Sequence, residues 1–119
     1  SSAGFMAGPL MATYYASKNY VLRLTEAIYE ELRRKKSKVK ISVLCPGPVQ
    51  TEFNSVANVN FSISGLKSRK VAKYAIDSTL KGKLVIIPGA MMKTGRFLER
   101  FLAEKTMLKI SYKIQNNKN

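Results

Sequence analysis

The stretch that decides the fold is VKISVLCPGP, residues 39–48. It begins as a run rich in β-branched residues and stops at Pro46-Gly47-Pro48, which predicts a strand followed by a turn. The end of the run is almost continuously apolar, as in a parallel strand that is buried on both faces. A second short apolar run, residues 84–87, ends at Pro88-Gly89 and predicts a partner strand.

Each of the two strands follows a predicted helix. Good helix formers without an internal Gly or Pro run from about Leu10 to Lys36, and Ser68 is expected to cap a second helix that runs to about Lys81. The order helix, strand, helix, strand predicts an α/β fold with a parallel sheet. By helical spacing, the residues expected to face the core are Val21, Leu24, Ile28 and Leu32 in the first helix and Val71, Ala75, Ile76 and Leu80 in the second.

Two strands cannot bury the apolar faces of these helices. We therefore expect the sheet to be incomplete in this chain and to continue in residues of a longer protein, an expectation that also fits the absence of Met at position 1. Residues 52–65 have no clean period and are predicted to form a long loop, of the kind that often acts as a functional lid. The tail, residues 91–119, is basic and amphipathic. Its favoured interpretation is a packed terminal helix, and the alternatives are contact with a partner or with an anionic membrane.

Composition excludes several classes of site. The chain has one cysteine, Cys45, and no histidine, so disulfide frameworks, His-dependent catalysis and His- or multi-cysteine metal sites are ruled out. We expect no metal. The net charge of +14 attracts anions, but the basic residues are spread along the chain without a nucleic-acid motif, so no nucleic-acid partner is expected. The cytoplasm is the expected location. Cys45, at a strand end, is predicted to be an inert buried thiol.

Tyr14 and Lys18 are the candidate reactive pair. Their separation of four residues places both side chains on one face of the first helix, one turn apart. A nearby ammonium stabilises a phenolate relative to the neutral phenol, which makes a tyrosine a better proton-transfer group near neutral pH. Tyr15 lacks this arrangement because Asn19 stands four residues after it, so it is predicted to have a packing role or to line a pocket.

The surroundings of this pair resemble the short-chain dehydrogenase/reductase family. The segment YYASK, residues 14–18, is similar to the family's Tyr-x-x-x-Lys signature, and Ser1 lies thirteen residues before Tyr14, where the family keeps its catalytic serine. The segment PGPVQT, residues 46–51, resembles the Pro-Gly segment beside the nicotinamide. These matches follow in the family's order over about 90 residues. They identify residues 1–90 as the C-terminal half of a doubly wound Rossmann-type domain, with residues 91–119 as an extension.

This resemblance implies a hydride transfer between NAD or NADP and a carbonyl or secondary alcohol. Tyr14 would be the general acid or base, Lys18 would stabilise its phenolate and hold the nicotinamide ribose, and Ser1 would donate a hydrogen bond to the substrate oxygen. The residues that would contact the cofactor are Tyr14, Lys18, Pro46, Gly47, Val49 and Thr51. A small-molecule substrate and a homo-oligomer are the partners implied.

One departure from the family pattern limits these expectations. No Gly-x-x-x-Gly-x-Gly turn, the element that holds the cofactor pyrophosphate, occurs in the sequence. We therefore expect the 119-residue chain alone to have no dehydrogenase activity. The alternative hypothesis is a non-catalytic assembly or binding module derived from the same family, in which the long helix and the tail serve association.

Overall fold

Helices and short strands alternate along the chain. A computed structural model describes residues 1–52 and 65–117. The helical elements are a 3-10 turn (Ser2–Phe5), α1 (Ala12–Arg34), α2 (Ser68–Leu80), α3 (Ala90–Glu99) and α4 (Glu104–Asn116). The strands are β1 (Val43–Leu44), β2 (Val49–Gln50), β3 (Leu66–Lys67) and β4 (Val85–Ile86).

The strands form two parallel pairs. Val43 lies opposite Val85 in the pair β1–β4, and Val49 lies opposite Leu66 in the pair β2–β3. Backbone hydrogen bonds of 2.8 Å, from the amide of Val43 to the carbonyl of Leu84 and from the amide of Cys45 to that of Ile86, extend the first pair at both ends. The predicted α/β class is confirmed, and the described sheet is small and incomplete, compatible with part of a Rossmann-like fold.

The core forms where α1 crosses the first strand pair. Leu22 of α1, Val43 of β1 and Cys45 are buried together, and Phe5 and Val85 pack against them. The predicted inward stripe of α1 was wrong in phase: Val21 and Leu24 are exposed, Ile28 and Leu32 are half-buried, and the buried positions of the helix are Tyr15 and Leu22. Because each residue turns a helix by about 100°, an error of one position moves the stripe to a different face.

The second helix shows the same kind of error. Ser68 is the first residue of α2 rather than its cap, and the capping position, Lys67, makes no side-chain cap hydrogen bond. Val71 is buried and Ala75 is half-buried as predicted, but Ile76 and Leu80 are exposed. The inward face of α2 runs through Val71, Tyr74, Ala75 and Ser78, which share one side of the helix, so Ile76 and Leu80 lie on the opposite side.

The tail consists of two helices. α4 is attached to the start of the chain, because the Ser111 hydroxyl donates to the carbonyl of Ala7 at 2.7 Å and the side chain of Gln115 accepts from Tyr15 at 3.1 Å. α4 therefore has the predicted role of a packed terminal helix. Every residue of α3, in contrast, is at least partly exposed. The division of the chain at residue 90 stays a prediction.

Candidate active site

Tyr14 and Lys18 lie on the first two turns of α1, where both side chains are half-buried. The helix begins here because the amide of Tyr15 donates to the carbonyl of Met11 at 3.1 Å, which closes the first turn. The Nζ atom of Lys18 is 5.2 Å from the centroid of the Tyr14 ring. An ammonium at this distance is attracted by the negative face of the ring. The structure therefore brings the two side chains of the predicted pair into contact.

Ser1 lies at the start of the 3-10 turn, against the end of β1. Its Oγ atom accepts a hydrogen bond from the amide of Ala3 at 3.1 Å, and its backbone nitrogen is 3.4 Å from the carbonyl oxygen of Leu44. The amide of Ser2 donates to the carbonyl of Pro46 at 2.8 Å. A serine hydroxyl that accepts one hydrogen bond keeps its own proton for donation. The Oγ of Ser1 can therefore cap the turn and donate to a second group.

The serine turn also contacts the helix that carries Tyr14 and Lys18. A Cβ atom on Gly4 would lie 3.2 Å from the carbonyl oxygen of Lys18 and 3.6 Å from Cβ of Leu22, so the two backbones approach closely at this point. Glycine at position 4 lets the turn approach the backbone of Lys18 without a shift of either segment.

Asn19 connects the turn to the helix through hydrogen bonds. Its amide nitrogen lies 3.1 Å from the carbonyl oxygen of Ala3, 2.8 Å from that of Met6 and 2.8 Å from that of Tyr15. An amide group has two protons, so three acceptors share two donors. Sequence reasoning missed this role, since an Asn inside a helix gives no signal of the loop carbonyls that it faces.

We expect Asn19→Ala to lower the free energy of unfolding by about 1–3 kcal/mol, because the carbonyls of Ala3 and Met6 lose their shared donor. Ser17→Ala is the matched control. Its hydroxyl donates at 2.6 Å to the carbonyl of Tyr14 within the same helix and is exposed, so its loss should change stability by less than about 0.5 kcal/mol. Urea unfolding followed by circular dichroism measures both changes. Equal effects of the two substitutions would contradict a connecting role for Asn19.

The predicted cofactor segment follows β1 directly. Pro46 adjoins the serine turn through its hydrogen bond to Ser2. A Cβ atom on Gly47 would lie 2.7 Å from Sδ of Met92, which shows that α3 covers this glycine. Val49 is half-buried in β2, and Thr51 is exposed just beyond that strand. Of the predicted substrate loop, residues 53–64 lie outside the described residues.

The comparison with known protein families decides the assignment. The family model of the short chain dehydrogenases matches residues 1–61, just over half of the chain. The chain belongs to the short-chain dehydrogenase family. A search of the curated proteins found no match. The matched residues include Ser1, Tyr14, Lys18 and the whole segment from Pro46 to Thr51, whereas the strand before Pro88-Gly89 lies beyond them.

Membership of the short-chain dehydrogenase family places the chain among oxidoreductase-type proteins that typically bind NAD or NADP. The resemblance that the sequence predicts over about 90 residues is thus matched over the first 61. None of the helices in the described parts of this short-chain dehydrogenase is both long and apolar enough to cross a membrane.

Tyr15 has a structural role in this member of the short-chain dehydrogenase family. Its ring is buried against Gly8, and its hydroxyl donates to Oε1 of Gln115 at 3.1 Å. Burial raises the pKa of the Tyr15 hydroxyl, and the neighbouring Tyr14 adds to this rise, so the group keeps its proton for the hydrogen bond. The predicted packing or pocket role of Tyr15 is confirmed.

A cleft of about 320 Å³ lies beside Tyr15. Its wall includes Met6, Pro9, Ala12, Tyr15, Asn19 and Leu108. The residues that α1 contributes to this wall share one side of the helix, and the helical rotation of about 100° per residue places Tyr14 and Lys18 on a different side. The cleft is therefore adjacent to the candidate active site but does not contain Tyr14 or Lys18.

Cys45 occupies the core directly after β1. Its side chain is buried, and burial raises the pKa of the thiol. The thiolate is the reactive form of cysteine, so a raised pKa leaves less of it at neutral pH. The predicted burial is confirmed, and Cys45 packs against Leu22 and Val43.

Proposed function

We propose that the protein is an oxidoreductase that transfers a hydride between NAD or NADP and a carbonyl or secondary alcohol. The observation that carries the proposal is the contact between Tyr14 and Lys18, at 5.2 Å, on a helix that belongs to the family match. The hydrogen bonds of Asn19 and of Ser2 support it, because they attach the Ser1 turn both to that helix and to Pro46.

Each of the three side chains has one task in this proposal. The hydroxyl of Tyr14 gives a proton to the carbonyl oxygen during reduction and takes it from the alcohol during oxidation. The ammonium of Lys18 stabilises the phenolate that remains after the proton has left. The hydroxyl of Ser1 donates a hydrogen bond to the substrate oxygen and stabilises the charge that develops there.

The described residues fit the nicotinamide end of a cofactor. The ammonium of Lys18, with three donors, and the hydroxyl of Tyr14 suit the ribose hydroxyls. Pro46, Val49 and Thr51 would lie along the nicotinamide, and Gly47 would contribute only its backbone there, because Met92 covers its α-carbon. When bound, NAD or NADP supplies or accepts the hydride. The protein's own contribution is to orient the substrate oxygen toward Tyr14 and Ser1 and to move the proton.

The sequence contains no glycine-rich turn for the cofactor pyrophosphate. For this reason we propose that residues 1–90 correspond to the C-terminal half of a Rossmann-type domain, with the loop 52–65 over the substrate and residues 91–119 as an extension. The glycine-rich turn would then be encoded elsewhere in the complete reading frame.

A comparison of two proteins tests this function. We expect the 119-residue chain to show neither turnover nor enhanced fluorescence of reduced nicotinamide nucleotides, because it lacks the helix N-terminus that holds the pyrophosphate. The product of the complete reading frame should bind NADH or NADPH and reduce a carbonyl from a panel of aldehydes and ketones.

The two possible failures have different meanings. Turnover by the 119-residue chain would contradict the assignment to the C-terminal half. A complete product without nucleotide binding would contradict the oxidoreductase function and favour the non-catalytic assembly module.

Association through α1 is a second proposal, and it is compatible with either function. Tyr20, Val21 and Leu24 are exposed on one side of α1. Acidic and basic residues are nearly balanced along this helix, so two copies can approach without strong repulsion. We propose that α1 is the contact between subunits of a homo-oligomer.

We expect Leu24→Lys to shift the protein toward the monomer by at least about tenfold in dissociation constant, because it places a charge in the apolar contact. Leu80→Lys on α2, which changes a leucine that is even more exposed than Leu24, should leave the oligomer unchanged. Light scattering after size exclusion measures the mass. A monomeric parent protein would contradict the proposal outright.

A further inference from the structure

Helix α3 is attached to the rest of the protein by the side that carries Met92, Arg96 and Glu99, and Met92 covers Gly47. The guanidinium carbon of Arg96 is 4.2 Å from the centroid of the Phe5 ring, and Arg96 forms an ion pair with Glu99. The side chains of this pair are only 20% and 10% exposed. Lys93 donates to the hydroxyl of Tyr74 at 2.8 Å. These contacts fix which side of α3 faces inward.

The apolar side of α3 therefore faces outward. Phe97 and Phe101 are 60% and 74% exposed, and their rings contact each other edge to face at a centroid distance of 5.4 Å. Helical rotation places Phe97 on the side of α3 opposite Glu99, and Phe101 follows just after the end of the helix. We call this surface the Phe97 face; it consists of Met91, Phe97, Leu98, Phe101 and Leu102, all of them exposed. An ordinary surface helix has the reverse orientation, with its apolar stripe against the core.

The charges of the two tail helices and of the residues between them limit what can bind to the Phe97 face. Acidic residues are few in the two tail helices and the residues that join them, and both Glu99 and Arg96 are engaged with each other. Among the other charged residues from 90 to 117, only Glu104 is acidic. The basic ones are Lys93, Arg100, Lys105, Lys109 and Lys113. A partner for this surface needs an apolar interior and negative charge at its edge.

We propose that the Phe97 face binds an anionic lipid surface, with α3 lying in the plane of the interface. The phenyl rings would enter the boundary between headgroups and acyl chains, and basic side chains of the tail would contact the negative headgroups. A second copy of the chain fits poorly, because two surfaces with the same excess of positive charge repel each other. This inference does not rest on the oxidoreductase proposal, since its test measures no catalysis.

Vesicle co-sedimentation of the 119-residue chain tests the proposal. We expect binding to phosphatidylcholine vesicles that contain about a third phosphatidylserine, and at least about tenfold weaker binding to phosphatidylcholine alone. Raising the salt concentration to about 1 M, where the screening length falls to about 3 Å, should weaken the binding further. Equal binding to both vesicle types would overturn the role of the basic residues.

Two matched double variants distinguish binding through the Phe97 face from nonspecific adsorption of exposed apolar residues. Phe97→Ser with Phe101→Ser should weaken vesicle binding by about tenfold or more, because it removes both rings from the interface. Ile76→Ser with Leu80→Ser changes two apolar residues of α2 that are 61% and 62% exposed, and it should leave binding unchanged. All four side chains are exposed, so neither variant opens the core. Equal losses in the two variants would overturn the proposal.

A fluorescence measurement reports the orientation directly. The chain has no tryptophan, so Phe97→Trp introduces a single reporter, and Tyr20→Trp on α1 gives the control. On anionic vesicles the first variant should show blue-shifted emission and quenching by brominated lipid, and the second should show neither. Vesicle binding without quenching at position 97, or loss of an oligomer in the Phe97→Ser, Phe101→Ser variant with vesicle binding intact, would assign the face to a protein contact and overturn the lipid proposal.

Discussion

Tyr14→Phe should lower kcat/KM by about a hundredfold to ten-thousandfold, the usual contribution of a positioned general acid or base. The substitution keeps the ring that Lys18 contacts at 5.2 Å and removes only the hydroxyl. Substrate and nucleotide binding should therefore change little, and the loss should fall on kcat. The measurement is the oxidation of NADH or NADPH by the product of the complete reading frame, with each substrate that the parent protein reduces.

Tyr15→Phe is the control for this prediction, since it removes a hydroxyl from the adjacent residue. That hydroxyl donates to Gln115 in a buried position, so we expect its loss to cost about 1 kcal/mol of stability and to leave kcat within a few fold. If Tyr14 is the proton donor, Tyr14→Phe should lose activity and Tyr15→Phe should keep it. Loss of activity in Tyr15→Phe with activity retained in Tyr14→Phe would reverse the assignment.

Much of the fold could be predicted from local sequence, because its main signals are local. The apolar runs before Pro46-Gly47 and Pro88-Gly89 predict both strands of the parallel pair, although the strands themselves are short, Val43–Leu44 and Val85–Ile86. Which side of each helix is buried could not be predicted as well. That choice depends on the elements packed against the helix, and Val21 and Ile76 are apolar yet face away from them.

The candidate site shows the same division. The contact of Tyr14 with Lys18 follows from their spacing on one helix, so the sequence alone predicts it. The role of Asn19 depends on a loop that precedes the helix, and only the structure shows where the carbonyls of Ala3 and Met6 point. The partner of Tyr15 could not be predicted from the sequence, since Gln115 lies 100 residues away along the chain.

The contacts of α4 give the tail a structural role beside the candidate active site. Ser111 and Gln115 are buried, and both bond to the first residues of the chain or of α1. Through Ala7 and Tyr15 they fix the loop that leads into the helix of Tyr14. The fit of this loop depends on Gly8, which lies directly against the Tyr15 ring. A side chain added at Gly8 should therefore disturb more contacts than a substitution at an exposed position.

Gly8→Ala should lower the free energy of unfolding by about 3 kcal/mol, at the upper end of the cost of overpacking a core. A Cβ atom at this position would lie 1.5 Å from Cδ1 of Tyr15, a distance that forces the ring or the loop to move. The ring cannot turn aside at low cost, because it is buried and its hydroxyl is bonded to Gln115. Urea unfolding of the 119-residue chain measures the change.

A glycine-to-alanine substitution in α3 should instead raise the free energy of unfolding. A Cβ atom on Gly95 would have no other described residue within 4 Å, so Gly95→Ala should stabilise the helix by about 0.5–1 kcal/mol through reduced backbone entropy in the unfolded chain. The two substitutions thus add the same methyl group, at Gly8 where a ring occupies the space and at Gly95 where the space is open. If Gly8→Ala were as harmless as Gly95→Ala, the Tyr15 ring would not occupy the space above Gly8, and the attachment of α4 through Gln115 would lose its support.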